Sequence, residues 1–178
     1  MKAATRTGSK TNPLTPMTSS LLNATDFADR LLYNIIPPLK AGMIVLADRY
    51  AYTAFSRDAA RGVDRRWVRE LYSFAVRPDL AVYFRVPIEV SADRLLARRV
   101  KLKFYEAGMD MGWSTNAIES FKMFQGKVLE EYDRIVDEFE LSVITASGSI
   151  TEQQRTFRKI VSQHLAIGDT NDELDEFA

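Results

Sequence analysis

Three residues that could bind a phosphate group, Asp48, Arg49 and Tyr50, directly follow the apolar segment MIVLA at positions 43–47. An arginine can donate two parallel hydrogen bonds to a phosphate, and a neighbouring aspartate can hold a hydrated magnesium ion or orient the arginine. A structural ion pair at the end of a strand is the alternative explanation of this Asp–Arg pair. What the tripeptide does therefore depends on the elements that position it.

Helical and strand patterns alternate along the chain. Helical spacing of apolar residues predicts a first helix from Thr18 that kinks or ends near Ile36, because prolines follow at 37 and 38. Residues 43–47 are apolar without alternation, which predicts a fully buried strand. Open parallel sheets bind ligands at the carboxyl ends of their strands, and the Asp-Arg-Tyr tripeptide falls at such an end.

The second half of the chain repeats this alternation. Asp64 is the predicted N-cap of a helix. Further strands are predicted at 80–86 and 141–145, and further helices from Pro87 to about Arg99, from Ser114 to about Phe139, and after the capping box SITE at 149–152. Strands that alternate with helices of this length indicate an α/β fold with a parallel sheet.

Composition excludes several classes of protein. The 178 residues, 46% hydrophobic and 27% charged, suffice for one domain with a core. Lys plus Arg equals Asp plus Glu at 24 each, so no net basic charge points to nucleic acid or to an anionic membrane. The chain has no cysteine and one histidine, which excludes thiol catalysis and a histidine-based metal cluster. No apolar run resembles a membrane span or a signal peptide, so we expect a cytoplasmic protein.

The chain divides into three parts by its patterns. Residues 1–16 carry almost no apolar periodicity and are expected to be loop or poorly ordered. The domain is expected to cover residues 17–167. The acidic tail at 168–178 is expected to be disordered.

Several motifs in order along the chain resemble the thymidylate kinase family. They are D-R-Y at 48–50, R-G at 61–62, P-D-L at 78–80, and the later segments LLARR, FYEAG and ITASGS. The resemblance runs from about Thr5 to Leu165. It implies a P-loop nucleotide-kinase fold, transfer of the terminal phosphoryl group of ATP to dTMP with a magnesium ion (Mg2+), and a homodimer packed through its helices.

The resemblance also implies roles for individual residues. Asp48 would lie near the magnesium ion, through water, and near the acceptor phosphate, which Arg49 would bind. Around the acceptor nucleotide it places Arg6, Phe27, Arg30, Tyr50, Arg61 and Tyr105. Arginines of a mobile lid would neutralise charge on the transferred phosphoryl group, and these are Arg94, Arg98 and Arg99. The backbone of Ala146 and Ser147 would contact the adenine of ATP.

Some of these residues have a second interpretation. Phe27 could stack on a base or could be a plain core residue, and the family's base-pocket pattern differs here at Asn23 and Phe27. The lid arginines could instead form a solvated basic face. Arg85 stands where an acid usually ends the strand, and the sequence does not explain it.

One family motif has no counterpart in these 178 residues, namely the ATP-phosphate loop G-x-x-x-x-G-K-[ST]. The nearest match, TGSKT around Gly8, is not placed between a strand and a helix. We therefore expect the first strand and the P-loop to lie upstream of Met1, so that the fold is incomplete at its N-terminus and this chain alone is inactive. The alternatives are another nucleoside or nucleotide kinase of the same fold, and a non-catalytic nucleotide-binding remnant that depends on a partner.

Overall fold

The computed structural model describes residues 14–97 and 102–165. Helices of these ranges are α1 (Pro16–Arg30), α2 (Ile36–Lys40), α3 (Ala51–Ala60), α4 (Arg65–Leu71), α5 (Ile88–Ala97), α6 (Ala117–Phe139) and α7 (Ile150–His164). Strands β1 (Val82–Arg85) and β2 (Ser142–Thr145) pair in parallel. The predicted α/β fold with a parallel sheet is confirmed, while its incompleteness at the N-terminus stays a prediction.

The first helix begins earlier than the sequence indicated. Thr15 is its N-cap, since the Thr15 hydroxyl accepts a hydrogen bond from the Thr18 amide at 3.1 Å, and Pro16 occupies the first turn. A proline is tolerated there because its missing N–H has no partner within a helix in any case. The predicted start at Thr18 is therefore two residues too late.

The helical structure does not end near Ile36 but continues to Lys40. A π-helical turn at Leu31–Ile35 follows α1, and α2 then begins with the two prolines in its first turn. The π turn rearranges the hydrogen-bond ladder just ahead of the two prolines, which cannot donate to it, and the predicted kink stays a prediction.

The predicted buried strand at 43–47 is wrong. The segment forms no strand, and Met43, Ile44 and Leu46 are 61%, 73% and 83% exposed. Apolar residues become a buried strand only when neighbouring strands and helices cover them, and within the part of the chain that the structure describes no strand pairs with this segment. The apolar pattern shows that burial would stabilise these residues, but it does not show whether other elements cover them.

We expect this uncovered segment to cause self-association of the 178-residue chain, because exposed apolar residues with unpaired backbone groups promote aggregation. Sedimentation velocity over a concentration series should show species larger than a monomer. The double substitution Ile44→Lys/Leu46→Lys should shift the population towards monomer. Met123→Lys, a single substitution at an exposed apolar residue of α6, is the control and should change the distribution of species little. A sharply melting monomer at all concentrations would contradict this expectation.

The capped helices match their predicted starts more closely. Asp64 caps α4 by accepting the Trp67 amide hydrogen bond at 2.8 Å. Ser149 and Glu152 form the predicted capping box of α7. The predicted start of α6 at Ser114 is slightly early, because the N-cap is Asn116, whose side chain accepts hydrogen bonds from the amides of the first turn. Ser114 lies before the helix and accepts a hydrogen bond from the Asn116 amide.

The main core lies between the helices and not around the sheet. It joins α1, α3, α4 and the C-terminal half of α6, and its most buried members are Ala24, Phe27, Leu31, Ala51, Phe55, Val68, Tyr72 and Ile135. Helix α7 has no fully buried residue and contributes none to this core. The packing of α1 against α3 sets the position of the candidate site.

Candidate functional site

A cavity of about 460 Å³ lies where α1, the turn at 48–50, α3 and the segment at 105–110 meet. Its wall includes most of the predicted acceptor-site residues, namely Phe27, Arg30, Asp48, Arg49, Tyr50, Arg61 and Tyr105. Residues that are far apart in sequence are thus brought together as predicted. Whether they bind a nucleotide is not tested by this geometry and stays a prediction.

The turn at 48–50 holds its arginine in an unusual backbone conformation. Arg49 has φ of 63°, in the left-handed region that costs an ordinary residue roughly 1–2 kcal/mol. Such strain is often found at binding sites. Asp48 and Arg49 are both exposed, and no ion pair joins them in the described ranges. The alternative of a structural Asp–Arg pair is therefore wrong. Both residues line the cavity, and they form no ion pair with each other.

Tyr50 is fixed by two contacts. Its hydroxyl donates a hydrogen bond to the Val76 carbonyl at 2.7 Å, and its ring packs edge-on against Phe27 with centroids 5.0 Å apart. Burial, and to a lesser extent Tyr52, raises the pKa of the Tyr50 hydroxyl. Tyr50 is thus a neutral residue of the cavity wall, and its contacts with Val76 and Phe27 hold it in place.

Phe27 is both a core residue and part of the cavity wall. It is 4% exposed and contacts the rings of Tyr72 and Phe74 in addition to Tyr50. Arg30 lies over the same ring at 5.9 Å and pairs with Asp26 at 3.1 Å. Because so little of Phe27 is accessible, its ring has little surface to offer a ligand in this conformation, and the core interpretation is the better supported of the two.

Arg61 connects α3 to the segment that carries Tyr105. Its Nε donates to the Asp110 carboxylate at 2.8 Å, and its Nη2 donates to the Tyr105 carbonyl at 2.8 Å. Its guanidinium also lies 4.2 Å from the ring centroid of Phe124. These contacts use much of the hydrogen-bond donor capacity of Arg61 and hold one wall of the cavity in place. Its predicted contact with the acceptor nucleotide stays a prediction.

Sequence reasoning did not single out Arg57 and Asp58 on α3, which also line the cavity. Asp58 is 5% exposed, and its carboxylate accepts a hydrogen bond from the Ser20 hydroxyl at 2.5 Å, which joins α3 to α1. Burial raises the pKa of Asp58, although the hydrogen bond from Ser20 and the charges of Arg61 and Arg57 oppose this. A buried acid inside a helix gives no local sequence signal, because only the packing of α1 on α3 encloses it.

The raised pKa of Asp58 predicts a pH-dependent stability. A carboxyl whose pKa is higher in the folded state contributes stability below the unfolded-state pKa, and this stability is lost as pH rises through the folded-state pKa. Asp58→Asn removes this titration. The free energy of unfolding of the variant relative to wild type should therefore increase from pH 4 towards pH 7, as measured by urea unfolding. Asp137→Asn, at an exposed position on α6, should show no such trend. A difference independent of pH would contradict the assignment.

A second group of predicted residues meets at the carboxyl end of β2. Arg94 on α5 donates a hydrogen bond to the Ser147 carbonyl at 3.3 Å. Ala146 is buried, and its amide donates to the Arg85 carbonyl at 2.9 Å. The three residues predicted to contact ATP thus lie together, outside the wall of the main cavity, and their role stays a prediction.

The structure explains Arg85. Its guanidinium forms two hydrogen bonds with Asp133 of α6, at 2.9 and 3.0 Å. This exposed pair links β1 to the long helix, next to the stacked rings of Tyr83 and Tyr132. Arg85 is therefore a structural residue of the sheet–helix contact.

Other predicted residues lie outside the described ranges, namely Arg6, Arg98 and Arg99. Among residues 14–97 and 102–165, no group of three or more His, Cys, Asp or Glu side chains could hold a metal ion directly. Within the same ranges, no helix combines the length and the apolar character needed to cross a bilayer.

Comparison with known proteins decides the family. The family model described as thymidylate kinase matches residues 3–157, which include the turn at 48–50, every helix from α1 to α6 and both strands. The chain belongs to the thymidylate kinase family. The family prediction made from D-R-Y, R-G and P-D-L is therefore confirmed.

Individual relatives agree with the family model. The chain is 41% identical over 158 residues to "Probable thymidylate kinase 2" of Saccharolobus solfataricus, covering 88% of this chain and 74% of that protein. It is 31% identical to the probable thymidylate kinases of Thermococcus gammatolerans, over 84% of this chain, and of Thermococcus onnurineus, over 82%. In both of these the chain spans 65% of the relative's length.

Proposed function

We propose that this protein binds dTMP in the cavity beside α3 and takes part in the ATP-dependent phosphorylation of dTMP to dTDP. The observation that carries the proposal is the convergence of Asp48, Arg49 and Tyr50 with α1 and α3 around one cavity, in a chain of the thymidylate kinase family. A cavity of this size suits a small ligand such as a nucleotide.

The cavity offers each part of a nucleoside monophosphate a suitable contact. Arg49 is exposed and unpaired with Asp48, so its guanidinium can donate two hydrogen bonds to the phosphate. The partly buried ring of Tyr50, backed by Phe27, provides an apolar wall for the base. Arg30, close to the Phe27 ring, carries donors that suit a base carbonyl.

Asp48 also fits the magnesium ion that the family uses. Asp48 is an exposed carboxylate on the cavity wall, and an oxygen ligand of this kind can hold a hydrated magnesium ion through water. Bound there, the ion would supply charge neutralisation for phosphoryl transfer. We place ATP at the loop of Ala146 and Ser147, which lies beside Arg94. A homodimer packed through its helices and a cytoplasmic location belong to the same proposal.

A panel of ligands tests the proposed function. Calorimetric titration of the 178-residue chain with dTMP, dCMP, dAMP and thymidine should show binding of dTMP in preference to the other two nucleotides, and weaker binding of thymidine because it lacks the phosphate. A preference for another nucleoside monophosphate would support the alternative of a different nucleotide kinase. No binding of any member of the panel would contradict the proposal.

A further inference from the structure

Two arginines four residues apart, Arg57 on α3 and Arg61 at its C-terminal cap, contact a single aromatic ring. The guanidinium carbons of Arg57 and Arg61 lie 5.6 and 4.2 Å from the ring centroid of Phe124, which is fully buried. Packing against the ring restricts both side chains. When the flat face of a guanidinium packs on a ring, the N–H groups around the edge of the guanidinium can still donate hydrogen bonds. Both arginines line the cavity.

The two arginines differ in how their charges are balanced. Arg61 is paired with Asp110, and both side chains are nearly buried, at 10% and 9% exposed. Arg57 forms no ion pair with any carboxylate in residues 14–97 and 102–165. The nearby acids are otherwise engaged, since Asp58 accepts the Ser20 hydrogen bond and Glu106 pairs with Lys103 at 3.3 Å.

The surroundings of Arg57 oppose its charge. Burial lowers the pKa of the Arg57 guanidinium, and the like charges of Arg61 and Arg49 lower it further, while Glu106 acts in the opposite direction. A partly buried cation without a paired anion is costly. Arg49 and Arg57 are therefore two cations that face one cavity, and neither has a paired carboxylate within the described ranges.

We propose that Arg57 is a second phosphate-binding residue, which together with Arg49 clamps the dianionic phosphate of the acceptor nucleotide. The inference rests on the proposed function and adds a residue to it. A phosphate monoester carries nearly two negative charges at neutral pH and has three acceptor oxygens, so it can satisfy both guanidiniums at once. A neutral base or sugar would accept one hydrogen bond from Arg57 and would leave its charge unbalanced.

Two substitutions of Arg57 separate this role from a structural one. Arg57→Gln removes the charge, whereas Arg57→Lys keeps the charge and the long stem but lacks the fork of N–H donors. By calorimetry, Arg57→Gln should weaken dTMP binding at least about tenfold and thymidine binding less than about twofold. Arg57→Lys should fall between wild type and Arg57→Gln for dTMP. Arg66→Gln, on the exposed face of α4, is the control and should match wild type with both ligands.

The outcomes distinguish this inference from the proposed function. Equal losses for dTMP and thymidine would show that Arg57 contacts the nucleoside or supports the fold, and would overturn the clamp. Unchanged dTMP affinity in Arg57→Lys and Arg57→Gln would also overturn it. If Arg49→Ala loses dTMP affinity but the Arg57 variants do not, only the clamp fails. If wild type binds dTMP no better than thymidine, the proposed function fails. Thermal unfolding without ligand identifies a variant that does not fold, and in that case the Arg57→Lys titrations decide.

Discussion

Arg49→Ala is expected to weaken dTMP binding at least about tenfold while leaving the stability of the empty protein nearly unchanged. Charged hydrogen bonds to a phosphate contribute roughly 1.5–3 kcal/mol each, so loss of a two-bond contact exceeds one factor of ten in affinity. In the empty protein Arg49 is exposed and unpaired with Asp48, so little folding energy depends on its side chain. Calorimetric titration with dTMP and thermal unfolding without ligand measure the two effects separately.

The controls for this prediction follow from the same geometry. Thymidine lacks the phosphate and should lose little affinity. Arg49→Lys should recover part of the dTMP affinity, because lysine keeps the charge but not the fork. Alanine is preferred to glycine at this position, since alanine retains the strain of the positive φ angle and so leaves the backbone cost unchanged. Equal losses for both ligands, or a large fall in melting temperature, would return Arg49 to a structural role.

Gly108→Ala is expected to destabilise the protein strongly and to disturb the cavity wall at 105–110. A Cβ at this position would lie 2.4 Å from the Cβ of Phe124, which is closer than two non-bonded carbon atoms can approach. Phe124 is fully buried and cannot move aside cheaply, so we expect a loss of about 3 kcal/mol or more in the free energy of unfolding. Urea unfolding measures it.

Gly112→Ala provides the matched control. Gly108 and Gly112 have nearly the same positive φ, 65° and 67°, but a Cβ at Gly112 would meet no atom within 4 Å. Gly112→Ala should therefore cost only the backbone strain of alanine in the left-handed region, roughly 1–2 kcal/mol. Equal destabilisation by the two substitutions would show that backbone conformation, and not the contact with Phe124, accounts for the cost at Gly108.

Local signals in the sequence predicted the parts of the fold that depend on neighbouring residues. The Asp64 cap, the capping box at Ser149 and the strand at 82–85 follow from residues close in sequence, and all three are present in the structure. The segment at 43–47 shows the limit of such signals. Its composition indicates a buried strand, but burial depends on partners elsewhere, which a local pattern does not report.

The candidate site was predicted in part for the same reason. Family motifs located Arg49 and Tyr105 on the cavity wall, but they did not distinguish a free arginine from a paired one. The pairing of Arg61 with Asp110 and the unbalanced charge of Arg57 arise only when α3 packs against α6 and the segment at 105–110. The positive φ of Arg49 likewise has no sequence signature, because glycine is the residue expected there.

The structure of the 178-residue chain in complex with dTMP is the most direct test of the account. We predict that the phosphate lies in the cavity beside α3, within hydrogen-bond distance of the Arg49 guanidinium, with the nucleoside between α1 and α3 near Tyr50 and Phe27. A complex in which the phosphate contacts neither Arg49 nor any other wall residue of this cavity, for example one with dTMP at the loop of Ser147, would contradict the assignment of the acceptor site.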